Sequence, residues 1–346
     1  MPTLDNPTPF TEAVKFLADK KAVPSSMGSA EWRQVQAGIK NSSLFSARVL
    51  NLGVLDAIQT TVKSVLNPGQ ELRPGGNMAT VGFDPASARL ALMDTIEAEG
   101  YKAPEGKEGT IEDLHSSPRI DLIVKTNTAT AQGAGHYVQQ NANADVVDLW
   151  PALEFLDDDS SEVPRGEKQT KDGLVEDPEN SWEARWEAAL EDSGDDDAQA
   201  AYEATGRKVA LKSSGVWESL GEGAGGWTDN LDNPFPPFAF NSTRRVQELS
   251  RDEAEELGLL DEGEAVDAPK MDWSALFRLP AEAEAIMSLF ANEAEDQPRD
   301  ADGKVIQTAR FNAAPAIANS TDGFLARMAA RFGHKANDQR DHPLHK

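Results

Sequence analysis

The stretch DNPFPPFAFNS, residues 232–242, packs three prolines and three phenylalanines into eleven positions. Each proline fixes φ and lacks a backbone donor, so this segment continues neither a helix nor a central strand. Three exposed phenylalanines would each forgo about 1.5–3 kcal/mol of burial, so the segment is no free docking peptide either. A rigid crossover whose rings plug a core satisfies both constraints. Phe235, Phe238 and Phe240 are therefore expected to be at least partly buried against Trp150, Phe155 or Trp217, with Asn241 and Ser242 turning the chain into Val246.

Around that segment the apolar periodicity assigns the rest of the chain. Residues 10–23 and 30–39 read as helices, and a stripe from Leu44 to Leu66 reads as a longer one, so residues 10–66 form a helical hairpin or small bundle. Asp84 and Pro85 open a helix that ends at Gly100. Thr110 and Asp113 resemble a capping box. Ser117-Pro118 starts a helix whose face carries Ile120, Ile123, Val124, Ala131, Ala134 and Val138, with small residues that suit close packing on another element.

From Val146 the period changes, and VVDLWPALEFL reads as one or two strands around Pro151. Residues 157–181 form an acidic insertion with almost no core formers. Trp182, Trp186 and Leu190 mark a short helix, an acidic loop and a second helix or turn follow, and a strand is expected near Val209–Leu211. Ser250 and Glu253 cap a helix through RDEAEELGLL. Beyond residue 260, helices on linkers are expected, the last with Phe324, Leu325, Met328 and Phe332 on one side.

The fold class is thus α+β: a helical N-terminal half, a small mixed domain with a short antiparallel sheet, and an extended helical C-terminal tail. The divisions are an N-terminal helical region over 1–68, a helical connector over 69–145, the mixed domain over 146–260 with its acidic insertion at 157–181, and the tail over 261–346.

Charge and composition narrow the function. The chain has 59 acidic against 33 basic residues, a net −26, and is nearly balanced at its two ends and strongly acidic in between. Such a surface repels phosphate backbones, so no direct sequence-specific binding of nucleic acid is expected. With no cysteine, thiolate metal sites and disulfides are excluded. No apolar run reaches the roughly 20 residues of a membrane span, and the N-terminus lacks a secretion signal, so a protein that starts in a cytoplasm is expected.

Chemistry-bearing patterns are sparse. No two of the five histidines stand four residues apart, His334, His342 and His345 sit in a polar tail, and His115 and His136 read as ordinary helix-end and helix-surface imidazoles. Asp157–Asp159 and Asp195–Asp197 lack the alternating spacing of a calcium loop and read as solvated charge. The run at 221–227, GEGAGGW, has no strand-turn-helix setting and reads as a connection. No catalytic residue, metal or cofactor is nominated, and the chain is read as a non-enzyme.

The order of pieces over residues 118–260 resembles the conserved domain of bacteriophage Mu F-like minor head proteins, the phage head morphogenesis family. The pieces are a helix with Ile123 to Thr126 and Thr128; a strand and acidic segment with Trp150, Phe155, Asp158 and Arg165; Trp217; the crossover with Pro234, Pro236, Pro237, Phe238 and Asn241; and Val246. Many relatives carry cysteines and a histidine around the arginine and the crossover, and this chain has no cysteine there. The resemblance implies a minor head protein in the capsid interior or at the portal vertex, assembled in the bacterial host cytoplasm. Its partners would be the portal protein, the major capsid protein or a scaffold. Another assembly protein (a scaffold, a capsid-stabilising protein or a head-to-tail connector component) is the alternative, ahead of a virion-carried enzyme.

Overall fold

A computed structural model describes residues 11–25, 27, 28, 32, 43–66, 85–156, 165–171, 173–240, 242 and 244–266. Four helices build the first layer: α1 (Thr11–Asp19), α2 (Leu52–Leu66), α3 (Pro85–Ala98) and α4 (Ser117–Gln140). Helix α2 buries Val54, Leu55, Ile58, Thr61, Val62, Val65 and Leu66, an unbroken stripe at helical spacing. Ser116 caps α4 by accepting from the Arg119 amide, and Ile120, Ile123, Val124, Ala131, Ala134 and Tyr137 face inward. Helices α1, α2 and α3 all pack on α4.

The second layer is a three-stranded antiparallel sheet in the order β6-β3-β7, made of β3 (Ala152–Leu156), β6 (Val209–Leu211) and β7 (Arg245–Leu249). Leu153 lies opposite Ala210 and Glu248, and Phe155 lies opposite Val246. The period-two alternation sends Leu153 and Phe155 to one face, where α6 (Trp182–Ser193) and α8 (Val216–Glu222) bring Trp186, Leu190, Trp217 and Leu220. Ala152 belongs to the other face, which is covered by Ala201 of α7 (Asp196–Thr205), Ala254 of α9 (Arg251–Glu256), Leu259 and Leu260. Ser250 and Glu253 form a full capping box at α9, as their spacing predicts.

The α+β expectation therefore holds over the described residues, with nine α-helices and the small antiparallel sheet among them. Several local expectations do not. The stripe from Leu44 is helical only from Leu52; Ser43–Leu44 is strand β2, paired in parallel with Lys21–Ala22, strand β1. The chain breaks between them at Arg48, whose φ is 60°. Val146 and Val147 are not in a strand: Asn143 accepts from the Val146 amide at 2.9 Å and starts α5 (Ala144–Leu149), and strand geometry begins only after Pro151.

Thr110 and Asp113 stand in turns, not at a helix start. The Asp113 carboxylate accepts from the amides of Gly109 and His115 at 2.8 and 3.0 Å, which favours the turn. The acidic insertion is structured where it is described. Residues 167–176 form a hairpin of β4 (Glu167–Thr170) and β5 (Gly173–Glu176), and Pro178–Asn180 makes a 3-10 turn into α6. Asp195 is likewise no loop residue: its side chain caps α7 by accepting from the Ala198 amide at 2.9 Å, and Asp196 and Asp197 occupy the first turn, where the helix dipole favours acids. The expected helix at 30–39, apart from Trp32, and the tail with Phe324, Leu325, Met328 and Phe332 lie outside the described residues.

Candidate functional site

The crossover runs between the helical layer and the sheet and is anchored in both. Its path is held by backbone bonds from Leu231 to Phe238, from Asp232 to Gly221 and from Phe240 to Asp229, at 2.8–2.9 Å. Asn233 is buried and donates from its side chain to the Pro237 carbonyl at 3.1 Å. Two glycines let the segment seat directly on helices. A β-carbon on Gly133 of α4 would stand 1.7 Å from the Pro236 carbonyl oxygen, and one on Gly221 of α8 would stand 1.9 Å from the Asn233 carbonyl oxygen. Only a residue without a side chain permits either approach.

The three rings part company at this seat. Phe238 enters the sheet-side core, 5.9 Å from Phe155 and 6.2 Å from Trp217 between ring centroids, as expected. Phe235 is buried too, but in the helical core, against Tyr137 at 5.3 Å and Phe16 at 6.4 Å. The crossover thus joins two cores instead of plugging one. Phe240 is half-buried and its carbonyl accepts from Arg165 at 2.6 Å. Trp150 takes no part: it caps the C-terminus of α5 and is 43% exposed. Asn241 lies outside the described residues.

Arg165, placed by resemblance, proves to be half of a charged clamp. Asp229 pairs with Arg165 and, at 2.9 Å, with Arg185 of α6. The Arg185 guanidinium lies between Trp182 and Trp227, 5.1 and 4.9 Å from their ring centroids, and Arg165 also lies 5.1 Å from Trp182. Burial pushes the Asp229 carboxyl up, yet the two guanidiniums outweigh it and hold it below the usual carboxylate range. Burial lowers Arg185, with Asp229 opposing. The clamp ties the segment before β4, helix α6 and the entry to the crossover. Asp229, Arg185 and Gly133 were not singled out by sequence reasoning, and Gly221, expected to open a connection over 221–227, instead lies in the last turn of α8 (Val216–Glu222), with the connection starting after it. The small residues expected to pack closely on α4, Ala131 and Ala134, are buried in the helical core, and Gly133 between them takes the close seat.

Beside the crossover a groove of about 460 Å³ opens between α4 and β7. Its walls are Tyr137 and Gln140 of α4, Pro234, Pro236 and Pro237, and Val246 of β7, with Lys125, His136, Arg244 and Arg245 along it. No acidic side chain occurs among the described residues that line it, although acids outnumber bases 59 to 33 in the chain. A second, smaller pocket of about 160 Å³ lies on the other side, with Lys20, Arg119, Asp232, Trp32 and Phe240 in its wall. There the Lys20 amine sits 4.4 Å from the Phe16 ring centroid, and burial lowers its pKa to about 7. Arg119 is committed to the fold, donating to Ser46 and to the Ala47 carbonyl at 3.2 and 3.1 Å.

Among the described residues no group of three or more histidines and acids is arranged to hold a metal ion, and no helix is long and apolar enough to cross a membrane. The polar contacts at the crossover are ties between elements, and the open face beside them is apolar with a cationic rim. Family models, curated proteins and solved structures offer no match to this chain.

Proposed function

We propose that the protein is a minor head protein of a tailed bacteriophage, acting in head morphogenesis by docking on the portal or procapsid. The observation that carries the reading is the crossover. A proline-rich segment that resembles the identifying piece of the Mu F-like domain is seated on Gly133 and Gly221, joins two cores and leaves a groove open along one side. In this reading the crossover is structural and the groove meets the partner. An acidic exterior also suits a protein enclosed with a packaged genome, since it does not stick to phosphate backbones.

The test is co-purification of the tagged full chain with portal, major capsid and scaffold proteins from infected cells, together with its copy number in purified particles. Recovery of portal and a handful of copies per particle are expected. Recovery of neither portal nor capsid protein overturns the proposal, and hundreds of copies per particle would transfer it to a scaffold or decoration role.

A further inference from the structure

We propose that Arg165, Arg185 and Trp182 form a carboxylate-binding site whose resident ligand is the chain's own Asp229, an autoinhibitory contact with which an outside carboxylate competes. The inference stands on the geometry of the clamp and does not rest on the head-assembly reading.

Two guanidiniums meet at Asp229, which is the one acid paired with either of them among the described residues. Their other polar partners are neutral: Arg165 donates to the Phe240 carbonyl at 2.6 Å and Arg185 to the Asn180 side chain at 2.9 Å. A chain with 59 acids and 33 bases has carboxylates to spare, yet this cluster keeps a cation in excess. A tie between elements needs one ion pair. Two planar guanidiniums converging on one carboxylate supply several charge-assisted donors at a single point, which is how a carboxylate ligand is recognised.

Burial separates the cluster from a surface ion pair. Arg185 is 4% exposed, and its Nε–H is buried without an acceptor among the described residues. Buried donors are normally satisfied, so an idle one in the guanidinium that holds Asp229 marks binding capacity that Asp229 does not use up. The rings fix the receptor: Trp182 lies 5.1 Å from both guanidiniums, and Trp227 covers Arg185 at 4.9 Å. Gly225 makes that cover possible, since its φ is 86° and a β-carbon on it would stand 2.4 Å from the Trp227 ring.

Asp229 is the exchangeable member. Its side chain is 32% exposed, against 5% for Arg185 and 17% for Arg165, so solvent reaches the ligand more than the receptor. Its backbone is held apart from this, because its carbonyl accepts from the Phe240 amide at 2.8 Å. Rotation of one side chain therefore empties the site and leaves the crossover in place.

Asp229→Gly removes the resident ligand and leaves room for acetate, which carries the same carboxylate on one carbon. In the full chain at neutral pH, about 100 mM sodium acetate should raise the variant's thermal midpoint by about 3–6 °C over equal sodium chloride, the shift given by a site of roughly 10 mM affinity. The parent should move by less than about 1 °C in the same comparison, because Asp229 holds the site. Adding Arg165→Gln to Asp229→Gly should abolish the acetate effect. If Asp229→Gly does not fold in chloride, acetate must restore the fold, read by tryptophan fluorescence. A variant indifferent to acetate, an equal shift in the parent, or a shift that survives Arg165→Gln would each overturn the inference.

Discussion

Gly133→Ala is the sharpest test of how the crossover is seated. In a helix interior this substitution ordinarily stabilises by about 1 kcal/mol, because alanine loses less backbone entropy. Here the new methyl would lie 1.7 Å from the Pro236 oxygen, 2.9 Å from the Pro236 carbonyl carbon and 3.1 Å from the Phe235 ring. Ordinary contact begins near 3.4 Å, so helix and crossover must separate by about 1.7 Å. Overpacking of that kind costs about 1–3 kcal/mol. The separation also lifts Phe235 from Phe16 and Tyr137, and losing half of a buried phenyl's contribution costs about 2 kcal/mol more. After the propensity gain the net effect is destabilisation by about 2–4 kcal/mol. Urea unfolding followed by tryptophan fluorescence reads it as a lower midpoint. Gly221→Ala should act the same way and less than additively with Gly133→Ala, since both push on one segment. A neutral or stabilised Gly133→Ala would refute the close seat and with it the crossover's role as a joint.

Three further outcomes follow from the geometry. Phe238→Ala and Phe235→Ala should each cost about 3–5 kcal/mol, but hydrogen exchange should rise first around the sheet in the former and in α1 and α4 in the latter, because the rings occupy different cores. Asp229→Asn leaves two guanidiniums facing a neutral amide and should destabilise by about 2 kcal/mol at pH 7, less than a fully buried pair because Asp229 is about a third exposed. The Asp229 carboxyl is held low in the folded state, so its contribution is present above its ordinary value of 3.8 and is lost as pH falls below it; the variant's stability should converge on the parent's in acid. For Lys20, lowered from 10.5 to about 7, the unfolded chain binds more protons between those values. Stability should therefore rise with pH across that window, and Lys20→Met should flatten the rise in a series of urea midpoints; parallel curves would exclude it.

What the sequence made legible was what local chemistry decides. The cap at Ser250 with Glu253, the tryptophan spacing of α6 and the bounds of α4 follow from periodicity and side-chain acceptors. The crossover's rigidity was legible too, because proline and phenylalanine leave few alternatives. Where Phe235 would go was not, since two cores compete for one ring and only the seat on Gly133 aims it at Tyr137. Short apolar runs misled in both directions. Val146 and Val147 suit a strand by propensity, but the Asn143 cap commits them to α5, and Leu44 suits a helix but pairs with β1. The hairpin of β4 and β5 has almost no core formers and stands on Gly173, the first residue of β5, with φ 122°, and on ladder pairing that no composition announces.

The clamp at Asp229 fits a wider use of cations in this chain. Arg207 holds Glu154 across β3 at 2.6 Å, Lys208 holds Glu183 at 3.2 Å, and Arg251 pairs with Asp148. Lys212, its side chain fully buried, donates to Glu248 at 2.5 Å and to the Gln140 carbonyl at the end of α4 at 2.9 Å, so that one ammonium joins both layers. Each of these ties places a cation on one element and its acceptor on another, which is how an acidic chain keeps its layers together against its own repulsion.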